Sequence, residues 1–332
     1  MSSLNYVRRK PKEKLNILTF PTHRRYETEL AKTGHNFYAA QISSLPGTQV
    51  DDYGIDNYHI MPLNEFYPYD NFDLILSQHR FGQFEVAHKI NQKLKVPIIT
   101  LEHTTITPDL SPSRISAMSQ MIGDVNVFIS DDSNRKWSSK GIDRNNFVIK
   151  HSIDTETFKP VLNRDGVYVL TVANDFKKRD YCLNYSLWKS IKDIGKHEMH
   201  VVGKNADEID IMFIEEPNPN KLAQYYSECV AYVNTTSYSP IPMSLLEAMS
   251  CECPVVTTPT CGITEFVEDG VNGMIAETPE EFDKCLETIK ANRDLAFKMG
   301  KNARQTILDK CSTDRFVNQW NQIFNKTYEA SL

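Results

Sequence analysis

The chain reads as an α/β protein made of two successive units of parallel sheet. Three observations carry this. Short β-branched or apolar runs alternate with longer helical stretches along all 332 residues, which is the pattern of strand–helix–strand crossovers. The alternation restarts after a seam near residues 152–164. The length also suffices for two domains, each with its own core.

In the first unit, "LNILTF" (15–20) is a strand, and "RYETELAKTGHNFYAA" is a helix closed at Gly34 followed by a second strand. "FDLILS" (72–77) is a strand and "FEVAHKINQKLK" (84–95) the helix after it, before the strands "VPIITLEH" (96–103) and "VNVFIS" (125–130). "DSNRKWSSKG" is a helix closed by Gly141, and "NFVIKH" the last strand of this half. In the second unit, the strands are "GVYVLTVAN" (166–174), "MHVVGK" (199–204) and "AYVNTT" (231–236). Between and after them, "NYSLWKSIKDIG", "NKLAQYYSECV" and the long stretch 282–311 are helical. A last amphipathic helix begins at Thr313, with Phe316, Trp320, Ile323 and Phe324 on one stripe.

Composition narrows the function classes. Apolar residues make up 40% and charged residues 24%, as in ordinary globular proteins. No apolar run approaches the ~20 residues of a membrane span, and "MSSLNYVRRKPKEK" has no leader-like apolar core. The seven cysteines lie between Cys182 and Cys311 without metal-ligand spacing. Free thiols and a reducing, cytoplasmic location are therefore expected. A net charge of -6 argues against a general coat for nucleic acid. Arg8, Arg9, Lys10, Lys12 and Lys14 nevertheless gather near the start against the single acid Glu13, as either a solvated tail or a local basic face.

The chemistry concentrates in "SPIPMSLLEAMSCECPVV" (239–256). Here a strand, a proline-containing loop and a helix N-terminus follow one another. In open α/β sheets that junction is where anionic ligands bind. The amides of Met243, Ser244 and Leu245 and the Ser244 hydroxyl suit a diphosphate. Glu247, a turn further in, suits the paired hydroxyls of a ribose. A carboxylate that merely complements the helix dipole is the alternative, and the residues alone leave both open.

From about residue 149 to 310 the sequence resembles the donor-binding half of the retaining glycosyltransferases of family 4. "VIKHSIDTETFKP" (148–160) keeps Asp154, Phe158 and Pro160 in step with that family. The run 245–282 keeps Glu247-Ala248-Met249, Pro254-Val255-Val256, Gly262, Glu265, Asp269-Gly270 and Asn272-Gly273. "GDVNVFISDDSNRKW", "VPIITLEH" and "LAKTGH" carry a looser likeness through the first half. The resemblance implies the GT-B fold, in which two Rossmann-like domains face across a cleft. Residues 1–155 would form the acceptor side, 156–312 the nucleotide-sugar side, and 313–332 a C-terminal helix returning to the first domain.

Three departures from the family pattern stand out. The family has two glutamates separated by seven residues; Glu247 is the second, and Ser239 occupies the place of the first, beside the transferred sugar. A glycine-arginine pair after the 166–174 strand is replaced by Ala173-Asn174, leaving Lys177, Lys178 and Arg179 to supply positive charge. Cys251 and Cys253 occupy small packing positions. Gly203 matches the family's glycine turn, and His103 its strand-end position near the reacting sugar. In the first half, "FPTHRRYET" (20–28) replaces a glycine-rich turn, so His23, Arg24 and Arg25 are candidates for the acceptor or phosphate side; His79 and Arg80, weaker candidates, sit at another strand end.

The resemblance implies transfer of a hexosyl or pentosyl group from a UDP- or GDP-sugar to an acceptor hydroxyl with retention. Candidate catalytic residues are His103, Ser239, Lys178 and Arg179. Donor contacts are expected from Glu247, Ser244, Met243, Leu245, Lys177, Asn174 and Gly203. No metal or other cofactor is expected. A glycan, a lipid-linked acceptor and a hydroxymethylated DNA base all remain open as acceptors. A non-catalytic nucleotide-sugar-binding or scaffold protein is the rival reading, motivated by Ser239 and Asn174.

Overall fold

The computed structural model describes residues 12–44, 48, 50–62, 71–161, 167–205 and 218–332. Of the basic N-terminal cluster, Arg8, Arg9 and Lys10 fall outside these residues, while Lys12 pairs with Asp73 at 2.8 Å. Part of the seam at 152–164 is likewise outside them.

The first half contains β1 (Asn16–Thr19), α1 (Arg24–Ala31), β2 (Asn36–Gln41), β3 (Tyr58–Pro62), β4 (Leu74–Ser77), α2 (Glu85–Leu94) and β5 (Ile98–Glu102). It continues with α3 (Pro112–Ser119), β6 (Val125–Phe128), α4 (Asp131–Ser138) and β7 (Asn146–Val148). The second half contains β8 (Tyr168–Val172), α5 (Asp180–Leu183), α6 (Tyr185–Asp193), β9 (Glu198–Val202), α7 (Pro219–Glu228), β10 (Ala231–Asn234) and α8 (Met243–Ser250). It ends with β11 (Val255–Thr257), β12 (Met274–Ile275), α9 (Pro279–Ala291), α10 (Arg293–Lys310) and α11 (Thr313–Glu329). Elements that go beyond the sequence-based expectation include β3 and α3, along with the short α5 and β12. β3 reads "YHIMP", short and proline-ended, and takes its place at the sheet edge beside β2. α3 is a short helix whose signal is its start: Ser111 accepts from the Arg114 amide and Pro112 takes the first turn.

The strands form two parallel sheets, ordered β3-β2-β1-β4-β5-β6-β7 and β12-β11-β10-β8-β9. Parallel strands need both faces covered, and each sheet has an apolar cluster on either side. β1, β4 and β5 alternate Leu15, Ile17, Leu74, Leu76 and Ile99 toward one face, with Leu18, Ile75 and Ile98 toward the other. α11 completes the first of these clusters with Phe316, Trp320, Ile323, Phe324 and Tyr328, although it is the last element of the chain. Sequence order and spatial order part here because the amphipathic stripe of α11 meets its apolar partner on the first sheet. The return is fastened where the halves join. Ser152 and Thr313 donate to Glu29 Oε2 at 2.7 and 3.0 Å, and Arg315 Nη2 donates to the Lys150 and His151 carbonyls at 2.7 and 2.8 Å.

Trp320 is fully buried and stacks on Phe324 with ring centres 5.0 Å apart. Trp320→Ala is expected to cost about 3–5 kcal/mol, read as an earlier denaturant transition of the whole chain. An unchanged transition would contradict the docking of α11 on the first sheet.

Candidate functional site

Each sheet has a switch point where crossovers leave in opposite directions: between β1 and β4 in the first, between β8 and β10 in the second. The loops after these strands face one another and carry most of the predicted residues.

On the second domain, α8 starts at Pro242 with no side-chain cap. The amide of Leu245 donates to the Pro242 carbonyl at 3.2 Å, and its side chain is fully buried in the core. The Leu245 amide is thus engaged within the first turn, while helix geometry leaves the amides of Met243 and Ser244 without intrahelical partners. Ser244 Oγ accepts from the Tyr232 hydroxyl at 2.8 Å, so its own hydrogen is the one it has to give. A cavity of about 40 Å³ opens beside it between the ends of β8 and β10.

Glu247 is fully buried. One carboxylate oxygen is bonded by Arg25 of the opposite domain, and the other accepts from the Tyr226 hydroxyl at 3.1 Å. Burial raises its pKa, opposed by the charge and hydrogen bond of Arg25 and by Tyr226. Arg25 also lies 5.8 Å from the centre of the Phe158 ring. The residue predicted to hold a ribose is thus held by a guanidinium from across the cleft.

The 174–179 turn presents Lys177, Lys178 and Arg179 on the surface beside the cleft. Two predicted donor residues shape this turn. Asn174 Oδ1 accepts from the Lys204 amide at 2.9 Å, which ties the β8 and β9 loops together. Gly203 has φ +147°, and a Cβ there would stand 2.1 Å from the Ala173 carbonyl oxygen. Both therefore act on the loop's shape. The loop carrying Ser239 is pinned on either side: Ser237 and Tyr238 amides donate to the Cys182 carbonyl at 2.9 and 3.1 Å, and the Gly262 amide to the Pro240 carbonyl at 2.9 Å. Ser239 itself is half-buried between these anchors.

On the first domain, His23 begins α1. Its pKa is lowered, first by desolvation and then by the charges of Arg25 and Arg179, so residues of both domains meet at this point. Arg24 donates to the Tyr53 carbonyl at 3.5 Å and lies over the Tyr53 ring. His79 is exposed, with Nδ1 3.1 Å from the Phe81 carbonyl oxygen. Arg80 is buried and structural, with Nε 2.7 Å from Glu102 Oε2. His103 lies at the end of β5, packed edge-on against Tyr26 at 4.7 Å between ring centres. Burial, then the charges of His151, His23 and His79, drive its pKa well below the ordinary histidine value, so its imidazole is neutral at pH 7.

Residues to which the sequence reading gave no site role complete the site. Gln78 and Glu27, both fully buried, bond to each other and to the His103 and Thr22 side chains. Glu265 spans the domains, accepting from the Asp132 amide at 3.0 Å and pairing with Lys150 at 2.8 Å. Two groupings stand apart from the cleft. His197, Asp283 and Glu287 cluster at the β9–α9 side, where Lys196 and Lys290 already bond to Asp283 and His197. A cavity of about 720 Å³ between β7 and α11 contains none of the predicted residues. All seven cysteines are free; Cys251 and Cys253 are buried, the latter 3.3 Å from Cys229 Sγ.

Residues 152–306, nearly all of the second half, match the family of glycosyl transferases group 1. A probable sucrose-phosphate synthase of Thermosipho melanesiensis is 23% identical over 206 residues, covering 60% of this chain and 45% of that protein. The chain thus spans less than half the length of that relative. The N-acetyl-alpha-D-glucosaminyl L-malate synthase of Bacillus anthracis is 22% identical across 89% of this chain and 90% of its own. Among solved structures, Anabaena HepE in complex with UDP and glucose has a TM-score of 0.78 at 14% identity, covering 94% of this chain and 100% of that one. The fold is GT-B, with two Rossmann-like domains.

Glu27 gives the site a measurable pH signature. Burial raises its pKa from 4.5 to about 7, against the hydrogen bonds it accepts. Between those values the native state holds a proton that the unfolded chain has released. Stability from this group is therefore present below about pH 4.5 and lost as pH rises toward 7, by about 3 kcal/mol. Glu27→Gln should remove that slope from denaturation curves taken between pH 4.5 and 7.5. Identical slopes in variant and wild type would contradict the burial of a protonated Glu27.

Proposed function

We propose that this chain is a group 1 glycosyl transferase that moves a sugar from a UDP- or GDP-sugar to an acceptor hydroxyl with retention. One observation carries the reading. Within the segment that matches the family, the start of α8, Ser244, Glu247 and the basic 177–179 turn gather at the switch point of the second sheet. Its counterpart in the fold, Anabaena HepE, was solved with UDP.

In this reading the ribose hydroxyls take the Glu247 carboxylate, displacing Arg25. The diphosphate takes the Met243 and Ser244 amides, the Ser244 hydroxyl, and Lys178 and Arg179. As the bond from the sugar's anomeric carbon to the phosphate oxygen breaks, negative charge grows on the nucleoside diphosphate. Preorganised amides and cations stabilise that charge, which is commonly the largest catalytic contribution. The scheme thus gives the protein's own cations the role a metal ion would otherwise have. The acceptor oxygen bonds to the anomeric carbon on the face the phosphate leaves, and its proton passes to the departing phosphate oxygen. His103, at the end of β5, borders the reacting sugar, and Ser239 offers it a hydroxyl where relatives carry a charge. The acceptor is a glycan, a lipid or lipid-linked acceptor, or a hydroxymethylated DNA base. A reducing, cytoplasmic setting suits the free thiols.

Glu247→Ala should weaken binding of UDP or GDP at least about 10-fold by calorimetry; unchanged affinity removes the ribose role. Lys178→Ala combined with Arg179→Ala should lower turnover about 100-fold. Ser239, uncharged beside the transferred sugar, favours a second reading, a nucleotide-sugar-binding protein without turnover. A panel of UDP-, GDP- and ADP-sugars separates the two: ligand-induced thermal stabilisation with neither transfer nor hydrolysis would select the second reading.

A further inference from the structure

Gln78 lies at the end of β4, fully buried, between the first-domain switch point and His103. Its side-chain amide is oriented without ambiguity. The NH2 end faces three acceptors: Thr19 Oγ1 at 3.1 Å, the Phe20 carbonyl at 3.4 Å and Glu27 Oε1 at 2.8 Å. A carbonyl can only accept, and the Thr19 hydroxyl has already given its hydrogen to the Leu76 carbonyl at 3.1 Å. Reversing the amide would set its oxygen against the Thr19 and Phe20 oxygens, neither of which has a hydrogen to offer. The oxygen end therefore faces the Thr22 hydroxyl at 3.3 Å and His103 Nε2 at 3.2 Å. An oxygen there demands a hydrogen on Nε2.

We propose that Gln78, locked by Thr19, Phe20 and Glu27, is a positioning residue that fixes His103 as the Nε2–H tautomer with Nδ1 unprotonated. A neutral ring in this state keeps a lone pair on Nδ1. It can accept a hydrogen bond from a sugar or acceptor hydroxyl and has no proton to lend as a general acid from that atom. The ring plane is set from two directions, by the Gln78 oxygen at Nε2 and by the edge-on Tyr26 ring, itself edge-on to His151 at 5.7 Å. The inference rests on the reading of His103 as a residue bordering the reacting sugar, but the tautomer itself does not depend on that reading.

The test uses the full chain labelled with ¹⁵N in its histidine rings. The His103 signals are identified among the nine histidines by their loss in His103→Gln. Wild type at pH 7 should show the Nε2–H tautomer; an Nδ1–H ring or an imidazolium would overturn the proposal without any variant at Gln78. In Gln78→Met the tautomer preference should be lost. There kcat should fall about 10–100-fold while KM for the nucleotide sugar stays within about 2-fold, because the nucleotide contacts are on the other domain. A Gln78→Met protein that keeps either the wild-type tautomer or the wild-type kcat overturns the positioning role. Should that variant not fold, the wild-type spectrum decides alone. Failure of UDP to bind wild type would overturn the donor reading, while the tautomer would still be decided by the wild-type spectrum.

Discussion

A buried carboxylate organises the cleft. Glu247 has no contact with solvent, and a lone ionised carboxylate in such a place is strongly disfavoured. The fold answers with Arg25, 222 residues earlier in the chain, and with the Tyr226 hydroxyl. Because Arg25 belongs to the first domain and Glu247 to the second, the pairing also holds the two domains together at that point. Glu265 makes a second bridge, to Lys150 and the Asp132 amide. On the proposed function, ribose and guanidinium compete for one carboxylate. Nucleotide entry would then loosen one bridge while the other stays, so that binding and the relative setting of the domains are linked.

The architecture is largely readable because parallel strands with both faces covered leave a strong signal. β1, β4, β5, β8 and β10 are near-continuous apolar runs, and the sequence places each to within a few residues. α11 shows its apolar stripe plainly, and only the resemblance, not the stripe, indicates where it docks. β3 is invisible because it is an edge strand with His59 exposed and Pro62 at its end. The site is readable where function is local in sequence, as in the α8 start. It is unreadable where function depends on distant pairing. Nothing near Arg25 announces Glu247, and nothing near Gln78 announces His103. In "SQHRFGQ" His79 and Arg80 stand out, yet Arg80 is buried against Glu102 and Gln78 makes the contacts around His103.

Two predicted donor residues show how a resemblance transfers position more readily than role. Asn174 and Gly203 occupy the expected loops, yet the observed contacts of both are with backbone: Asn174 with the Lys204 amide, Gly203 in close approach to Ala173. They hold the basic 177–179 turn in its place at the switch point. Leu245 makes the same point inside a helix, where being one residue further along commits its amide to the helix itself.

On the proposed function the Glu247 carboxylate is a ribose site guarded by Arg25. A crystal structure of the protein grown with UDP tests this most directly. Both ribose hydroxyls are expected within hydrogen-bond distance of Glu247, with the diphosphate at the Met243 and Ser244 amides and Arg25 moved off the carboxylate. Ordered UDP elsewhere in the molecule, with the Arg25–Glu247 contact intact, would contradict it.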